Sequence, residues 1–151
     1  MLIYRLCRAA FTALDGEGAR RYGGRWNSVG GAIVYTSATV SLAALEYLVH
    51  VDVADAPSDL VALTIELPDD ISIMRVHERD LPRRWHEYVD VESCRVLGDR
   101  WLAEGSSAIL AAPSAAVMSE WNYLVNPAHM DAAAMQLIAQ RPFRFDPRLV
   151  R

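Results

Sequence analysis

The pattern of apolar and polar positions along the chain predicts short strands interspersed with a few helices. The strongest strand signal is the alternation from Val61 to Leu67, where every second residue is a large apolar one, as in a half-buried strand. We interpret residues 122–127 as a loop or a strand end. Residues 115–118 are interpreted as the continuation, beyond a kink at Pro113, of a strand predicted at residues 107–112. Short apolar runs predict further strands at residues 2–6, 33–36, 71–76, 107–112 and 143–150.

Helical spacing of apolar residues is clearest from about Val40 to Val51, where they form a wide face. Either Ser37 or Thr39 could cap the first turn of this helix through its hydroxyl. A second helix is predicted from about Val91 to Ala103, ended by a nearby glycine. A short helix is predicted within residues 130–139.

Residues 11–31 form a long stretch with no helical or strand period, and it contains six glycines and three arginines. A stretch of this length without regular structure is uncommon in a compact domain. It is therefore either functional or an element that the pattern does not reveal.

The order of these elements favours one mixed α+β domain spanning residues 1–151, because the strands are too irregularly placed for a repeated βαβ fold. Cys7 and Cys94 are too few for a disulfide framework or a four-thiolate zinc site. No apolar run approaches the ~18 residues that a membrane helix needs. Arginines interrupt the first residues too early for a signal peptide. We therefore expect a cytoplasmic protein with no membrane partner.

Charge and basic composition exclude several kinds of chemistry. The net formal charge is −4, and all 15 basic residues are arginines. Without lysine, neither Schiff-base catalysis nor a Walker-type phosphate lysine is available. The acidic balance with scattered arginines also argues against direct nucleic-acid binding.

Two segments contain candidate binding and catalytic residues. Gly23 and Gly24 would let the backbone approach a ligand closely, and Arg25 beside them could pair with phosphate oxygens, although Gly-Gly-Arg also occurs in ordinary turns. Glu46 lies within the apolar helix, where a buried carboxylate needs a partner or a ligand. The alternative is a carboxylate at the polar margin of that helix. Tyr35 alone is more typical of a core aromatic residue.

Ser114 follows a proline in a turn, but no Gly-x-Ser-x-Gly elbow surrounds it. His129 is the nearest histidine in sequence, and no spacing supports a hydrolase triad. The four histidines also lack metal-ligand spacing, so we expect no metal site.

Taken together and in order, several short strings resemble the RES-domain toxins, which are named for an Arg-Glu-Ser signature. The resemblance covers nearly the whole chain. It implies a fold similar to ADP-ribosyltransferases, with a central split pair of β-sheets flanked by helices. The matching strings are Tyr4-Arg5-Leu6, Gly23 to Ser28, Val34 to Ser37, Leu42 to Glu46, Gly98 to Trp101, Pro113-Ser114, Asn122 to His129 and Phe145 to Leu149.

This resemblance also implies the site residues. The signature falls on Arg25, Glu46 and Ser114, which we predict to be catalytic, and Tyr35 matches the family's pocket tyrosine. The predicted NAD-binding residues are Arg25, Tyr35, Gly24 and Asn27.

What the family implies for function is consumption of NAD, as substrate rather than cofactor, with no metal and no other cofactor. The first expectation is cleavage of the nicotinamide–ribose bond with transfer of ADP-ribose to water or phosphate, which is the activity of an NAD glycohydrolase or phosphorylase. The second is ADP-ribosylation of a cellular protein such as phosphoribosyl pyrophosphate synthetase. The expected partner is an Xre-like antitoxin that covers the active site, through which any DNA contact would come. An alternative of a different class is a non-catalytic module that only binds a partner protein.

Overall fold

Seven strands form one hydrogen-bonded sheet, and α-helices cover parts of it. The computed structural model describes residues 1–87 and 91–149. The strands are β1 (Leu2–Arg8), β2 (Val34–Ser37), β3 (Leu60–Glu66), β4 (Ile73–Arg75), β5 (Ile109–Pro113), β6 (Trp121–Val125) and β7 (Gln136–Pro142). The α-helices are α1 (Glu17–Tyr22), α2 (Val40–Leu48) and α3 (Val91–Glu104). Single 3-10 turns lie at Ala9–Phe11, Val53–Asp55, Glu78–Asp80, Met130–Ala134 and Pro147–Leu149.

The strand order is β4-β5-β6-β2-β1-β3-β7, and only β4 and β5 pair in parallel. Strands β1 and β3 align over seven residue pairs, whereas β1 and β2 meet only at Tyr4 and Ser37. The predicted α+β class is confirmed. The predicted pair of sheets corresponds to two halves of one sheet, joined at this single-pair junction.

Register shows which sheet face each helix covers. Tyr4 lies opposite Ser37, and side chains two positions apart share a face, so Leu6 on β1 and Tyr35 on β2 lie on the same face of the sheet. Leu6 packs in the cluster with Ala43 of α2, while Tyr35 packs against the cluster that contains Trp101 of α3. Helices α2 and α3 therefore cover one face, on either side of the β1–β2 junction.

The opposite face holds a separate apolar cluster contributed by several strands. Its fully buried members include Ile3, Ile65, Ile109 and Val125. This second layer of apolar side chains keeps the β5–β6–β2–β1–β3 region of the sheet rigid under the helices.

Most of the strongly periodic elements are confirmed. The alternating segment is β3, the first predicted strand is β1, and the two longer predicted helices are α2 and α3. Thr39 is the residue that caps α2, because its side-chain oxygen accepts the backbone N–H of Leu42 at 3.0 Å. Ser37, the alternative cap, is the last residue of β2.

The stretch 11–31 contains α1, an element that the apolar pattern does not reveal. Two predicted elements are wrong. Residues 115–118 do not extend β5, because the Ser114 hydroxyl accepts the backbone N–H groups of Ala116 and Val117 and turns the chain. The helix predicted within 130–139 is a 3-10 turn followed by β7, whose backbone pairs with β3.

The predicted terminal strand at 143–150 is also absent from its described part. Residues 136–142 form the strand instead, followed by a 3-10 turn at Pro147–Leu149, and residue 150 lies outside the described residues. Of the polar stretch formed by residues 77–90, the structure describes residues 77–87. Within the described ranges, no helix has the length and apolar character needed to cross a membrane.

Candidate active site

Helix α2 directs Glu46 toward the sheet. Leu42 and Ala43 are buried, and Glu46 follows them by four and three positions, which places all three on one side of the helix. Glu46 itself is half-buried. It therefore lies inside the apolar face of α2, not on the outward polar margin.

One oxygen of the Glu46 carboxylate receives two hydrogen bonds. The hydroxyl of Ser114, just past the end of β5, donates to Oε1 at 2.7 Å, and the side-chain N–H of Asn122 on β6 donates to the same atom. The second oxygen, Oε2, accepts no hydrogen bond within the described part of the chain. Oε2 is thus the carboxylate atom left for a ligand.

Ser114 supports this carboxylate and is not available as a nucleophile. Its side chain is fully buried, and its hydroxyl accepts the backbone N–H groups of Ala116 at 3.1 Å and Val117 at 3.0 Å while donating to Glu46. A hydroxyl has one proton and two lone pairs, so these three bonds use its full capacity. Ser114 therefore orients the Glu46 carboxylate through its hydrogen bond to Oε1.

Ser37 and Asn122 are site residues that sequence reasoning missed. The Ser37 hydroxyl donates to Oδ1 of Asn122 at 2.7 Å, and the two residues lie opposite each other in the β2–β6 register. Both lie in the strings that carry the family resemblance. That signal could have marked them, but only the register brings them next to Glu46.

The loop that contains Arg25 is organised by Asn27, whose side chain is fully buried. Its amide group donates to the carbonyls of Ala19, Ser28 and Gly31, and its Oδ1 accepts the Tyr35 hydroxyl at 2.7 Å. These contacts occupy the polar atoms of Asn27 within the protein. The structure thus places Asn27 behind the predicted NAD-binding surface, as the residue that shapes the loop.

Tyr35 is tied to the same loop through its hydroxyl, which also accepts the backbone N–H of Trp26 at 3.0 Å. Burial raises the pKa of Tyr35 well above its usual range, so its hydroxyl stays protonated. Gly24 lies directly against this hydroxyl, and a Cβ added at Gly24 would be 2.4 Å from it. Close approach to Tyr35 therefore accounts for glycine at this position.

Arg25 contacts the segment that precedes α3. Its Nη1 donates to the carbonyl of Trp85 at 2.7 Å and its Nη2 to that of His86 at 3.3 Å. A guanidinium has five N–H groups, and these bonds use two of them, so others remain for an anionic ligand. Arg95 of α3 lies beside this loop and donates from Nε to the carbonyl of Gly24 at 3.0 Å.

Helix α3 holds the loop in place at two points. A Cβ on Gly98 would lie 1.8 Å from the carbonyl oxygen of Trp26, so helix and loop backbones touch there. The carboxylate of the next residue, Asp99, accepts both the backbone N–H and the hydroxyl of Ser28. Gly98 and Asp99 thus hold the Arg25 loop in a fixed position against α3.

Strand β2 joins the two groups of residues. Tyr35 and Ser37 are two positions apart on β2 and share one face, with Tyr35 tied to the Arg25 loop and Ser37 linked through Asn122 to Glu46. No ion pair links Arg25 to Glu46 in the described ranges. Both remain available to contact different parts of one ligand.

An open cavity of about 280 Å³ lies away from these residues. Its lining includes Glu66, Asp69 and Gln136, and none of the predicted site residues. Carboxylates at its wall would repel an anionic dinucleotide. We therefore assign the candidate active site to the face that carries Arg25, Tyr35 and Glu46.

Comparison with known proteins gives consistent results for sequence and structure. A family model described as "RES domain" matches residues 2–146. The chain is 36% identical to a "Toxin Res" of Yersinia enterocolitica over 99% of both chains. It is also 36% identical to a "Prs ADP-ribosylating toxin" of a Sphingobium strain, over 91% of this chain and 87% of that one. Among solved structures, the M. tuberculosis MbcT-MbcA toxin–antitoxin complex matches with a TM-score of 0.78 and 20% identity, covering 95% of this chain and 84% of the matched chain.

Proposed function

The chain belongs to the RES domain family of toxins, and we propose that it cleaves the nicotinamide–ribose bond of NAD. The observation that carries this proposal is the Glu46 carboxylate, held at Oε1 by two neutral donors with Oε2 left for a ligand. A fixed carboxylate of this kind is suited to stabilising positive charge on a sugar ring.

Cleavage breaks the bond between C1″, the anomeric carbon of the nicotinamide ribose, and the ring nitrogen of nicotinamide. The bonding electron pair goes to the nitrogen, so the nicotinamide cation leaves as a neutral molecule and needs no general acid. Positive charge develops on the ribose in the transition state. We assign to Glu46 Oε2 the stabilisation of that charge, directly or through the ribose hydroxyls.

Arg25 and Tyr35 would bind the rest of the substrate. The N–H groups of Arg25 not used on Trp85 and His86 suit phosphate or ribose oxygens. The Tyr35 ring would stack on nicotinamide, with its hydroxyl held by Asn27. NAD enters this scheme as the substrate, and the residues named supply the chemistry without a metal ion or a further cofactor.

The acceptor of the ADP-ribose group decides the biological outcome. Our first proposal is water or phosphate, which makes the protein an NAD glycohydrolase or phosphorylase that depletes NAD. The second is a protein acceptor, favoured by the 36% identity to a relative named for ADP-ribosylating Prs. In that case the target would be a cellular protein such as phosphoribosyl pyrophosphate synthetase.

Incubation of the purified protein with NAD in phosphate buffer tests both proposals. Release of nicotinamide with free ADP-ribose or its 1″-phosphate supports depletion. Transfer of label from NAD to an added phosphoribosyl pyrophosphate synthetase supports the protein acceptor. Absence of both products, with the protein folded, would contradict NAD cleavage and favour a non-catalytic binding module.

An enzyme that drains NAD must be held inactive in the cell that makes it. The fold match to a chain of a toxin–antitoxin complex supports an antitoxin partner for this protein as well. We propose an Xre-like antitoxin that covers the active site, and a cytoplasmic location where NAD is available. Contact with DNA would come through the antitoxin.

A further inference from the structure

We propose that Asn122 and Ser37 form a positioning pair that fixes the orientation of the Glu46 carboxylate for the reaction. This inference rests on the proposed NAD cleavage and deepens it, by assigning the residues that hold its charged group in place. Asn122 and Ser37 do not need to touch the substrate, so they are positioning residues and not catalytic ones.

The direction of each hydrogen bond follows from the chemistry of the groups. An ionised carboxylate can only accept, so the amide of Asn122 must present its N–H group to Glu46. The amide oxygen then faces Ser37, whose hydroxyl must donate to it at 2.7 Å. Ser37 thereby selects one of the two orientations of the Asn122 amide, the one that donates to Glu46.

Burial and register make this pair rigid. The Ser37 side chain is 3% exposed, and its strand pairs with the strand of Asn122 over four consecutive residue pairs. The Asn122 donor on β6 and the Ser114 donor just past the end of β5 bind the same oxygen of Glu46. Two fixed donors on Oε1 define the plane of the carboxylate, and therefore the position of Oε2.

The same strand offers a matched control on the opposite face of the sheet. The Thr36 hydroxyl donates to the carbonyl of Tyr123, which also links β2 to β6, but it lies away from Glu46. Replacement of Thr36 by valine removes a buried hydroxyl hydrogen bond between the same two strands. This change reports the effect of weakening the strand pair alone.

The test compares kcat and KM for nicotinamide release in four variants. Asn122→Ala removes both the donor to Glu46 and the acceptor for Ser37. We expect kcat to fall on the order of 10- to 100-fold with KM changed less than about 3-fold, because a hydrogen bond to a charged group is lost. Ser37→Ala should lower kcat by a smaller factor, and Thr36→Val should leave kcat unchanged.

The fourth variant, Ser37→Ala combined with Asn122→Ala, tests whether Ser37 acts through Asn122. Once the amide is gone, Ser37→Ala should have no further effect on kcat, so the two changes should be non-additive. Equal effects of Ser37→Ala with and without Asn122 would overturn the pair. So would kcat values of Asn122→Ala and Ser37→Ala within about twofold of the wild type, or a kcat loss in Thr36→Val as large as theirs.

These outcomes are distinct from failure of the proposed function. A folded wild-type protein that releases no nicotinamide would contradict NAD cleavage, and the positioning role with it. An active wild type with unimpaired Asn122 and Ser37 variants would contradict the positioning role alone.

Discussion

Arg25 joins the candidate site to the segment before α3, and its geometry makes a specific demand on the residue type. Two of its N–H groups reach the neighbouring carbonyls of Trp85 and His86, so the planar guanidinium is held with its remaining donors in a fixed direction. A lysine ammonium is a single point of charge on a flexible stem and cannot span both carbonyls while also binding a ligand. The charge alone is therefore insufficient.

Arg25→Lys should lose most NAD cleavage, although the positive charge is retained. We expect a loss on the order of 10-fold or more in kcat/KM, equivalent to the removal of one charge-assisted hydrogen bond. Steady-state kinetics on the folded variant provides the measurement, with Arg83→Lys on the exposed surface as the control. Wild-type kinetics of Arg25→Lys would contradict the requirement for a guanidinium that binds both carbonyls and a ligand at once.

Tyr35 makes the free energy of unfolding depend on pH in the alkaline range. Burial raises the pKa of Tyr35 above its ordinary value near 10, so the unfolded chain releases this proton at lower pH than the folded one. The stability that Tyr35 provides is therefore fully present below about pH 10 and is lost as pH rises above it. Tyr35→Phe lacks this titration and also lacks the hydrogen bonds to Trp26 and Asn27.

The free energy of unfolding of wild type and Tyr35→Phe should thus differ by a constant amount, about 1 kcal/mol or more, from pH 7 to pH 9. The difference should shrink toward pH 11. Denaturant unfolding at each pH measures it. A difference that stays constant or grows through this range would be inconsistent with a buried, protonated Tyr35.

Sequence reasoning found some of the site residues and not others, for a physical reason. Glu46 is conspicuous because a carboxylate within an apolar helix face has few explanations. Asn122 and Ser37 are ordinary polar residues near strand ends, and only the pairing of β2 with β6 brings them to Glu46. Asn27 is predicted as an NAD-binding residue by the family resemblance, but its full burial could not be inferred from the sequence.

At the scale of elements, the contact between α3 and the Arg25 loop depends on Gly98. Gly98→Ala would place a methyl group 1.8 Å from the carbonyl oxygen of Trp26, where backbone must move. We expect a loss of about 3 kcal/mol in the free energy of unfolding, at the upper end of typical overpacking costs. The loop should shift as well, so NAD cleavage should fall beyond what the stability loss explains.

Gly18→Ala is the matched control for this prediction. Gly18 lies in α1, and a Cβ there meets nothing within 4 Å. The change should be neutral or stabilise the protein by up to about 1 kcal/mol through helix propensity. Thermal and denaturant unfolding compare the two variants, and an equally stable Gly98→Ala protein would contradict the close contact.

The elements that the sequence predicted correctly are those with a buried periodic face. β3 and α2 are examples, because the core imposes a period of two or of 3.6 on their apolar residues. β7 was missed because it is an edge strand whose side chains are mostly exposed, and its Gln, Leu, Ile and Ala residues carry no clear alternation. The structure of β7 depends on backbone pairing with β3, and the local pattern of apolar residues does not predict that pairing.

At the scale of the whole molecule, inhibition by an antitoxin follows from the proposed function. A site built for an anionic dinucleotide can be occupied by an acidic side chain or a carboxyl terminus of the partner, which would imitate the phosphates at Arg25. NAD and antitoxin should therefore exclude each other, and apparent inhibition should weaken as the NAD concentration rises. Inhibition assays across a range of NAD concentrations measure this competition.

Removal of the antitoxin segment that carries this acidic group should restore NAD cleavage while leaving most of the complex interface intact. Calorimetry of the trimmed complex provides the check. A ternary complex with NAD bound normally beside Arg25, Tyr35 and Glu46 would exclude steric occlusion and require inhibition from a distance.

The central claim is that Glu46 promotes cleavage of the nicotinamide–ribose bond, and the rate of nicotinamide release by Glu46→Gln tests it most directly. The amide preserves shape but removes the negative charge. The matched control is Glu66→Gln, an exposed carboxylate on β3 outside the site. We predict that Glu46→Gln folds like the wild type yet releases nicotinamide on the order of 10²–10³-fold more slowly, while Glu66→Gln is unaffected. Wild-type turnover by folded Glu46→Gln would contradict the account.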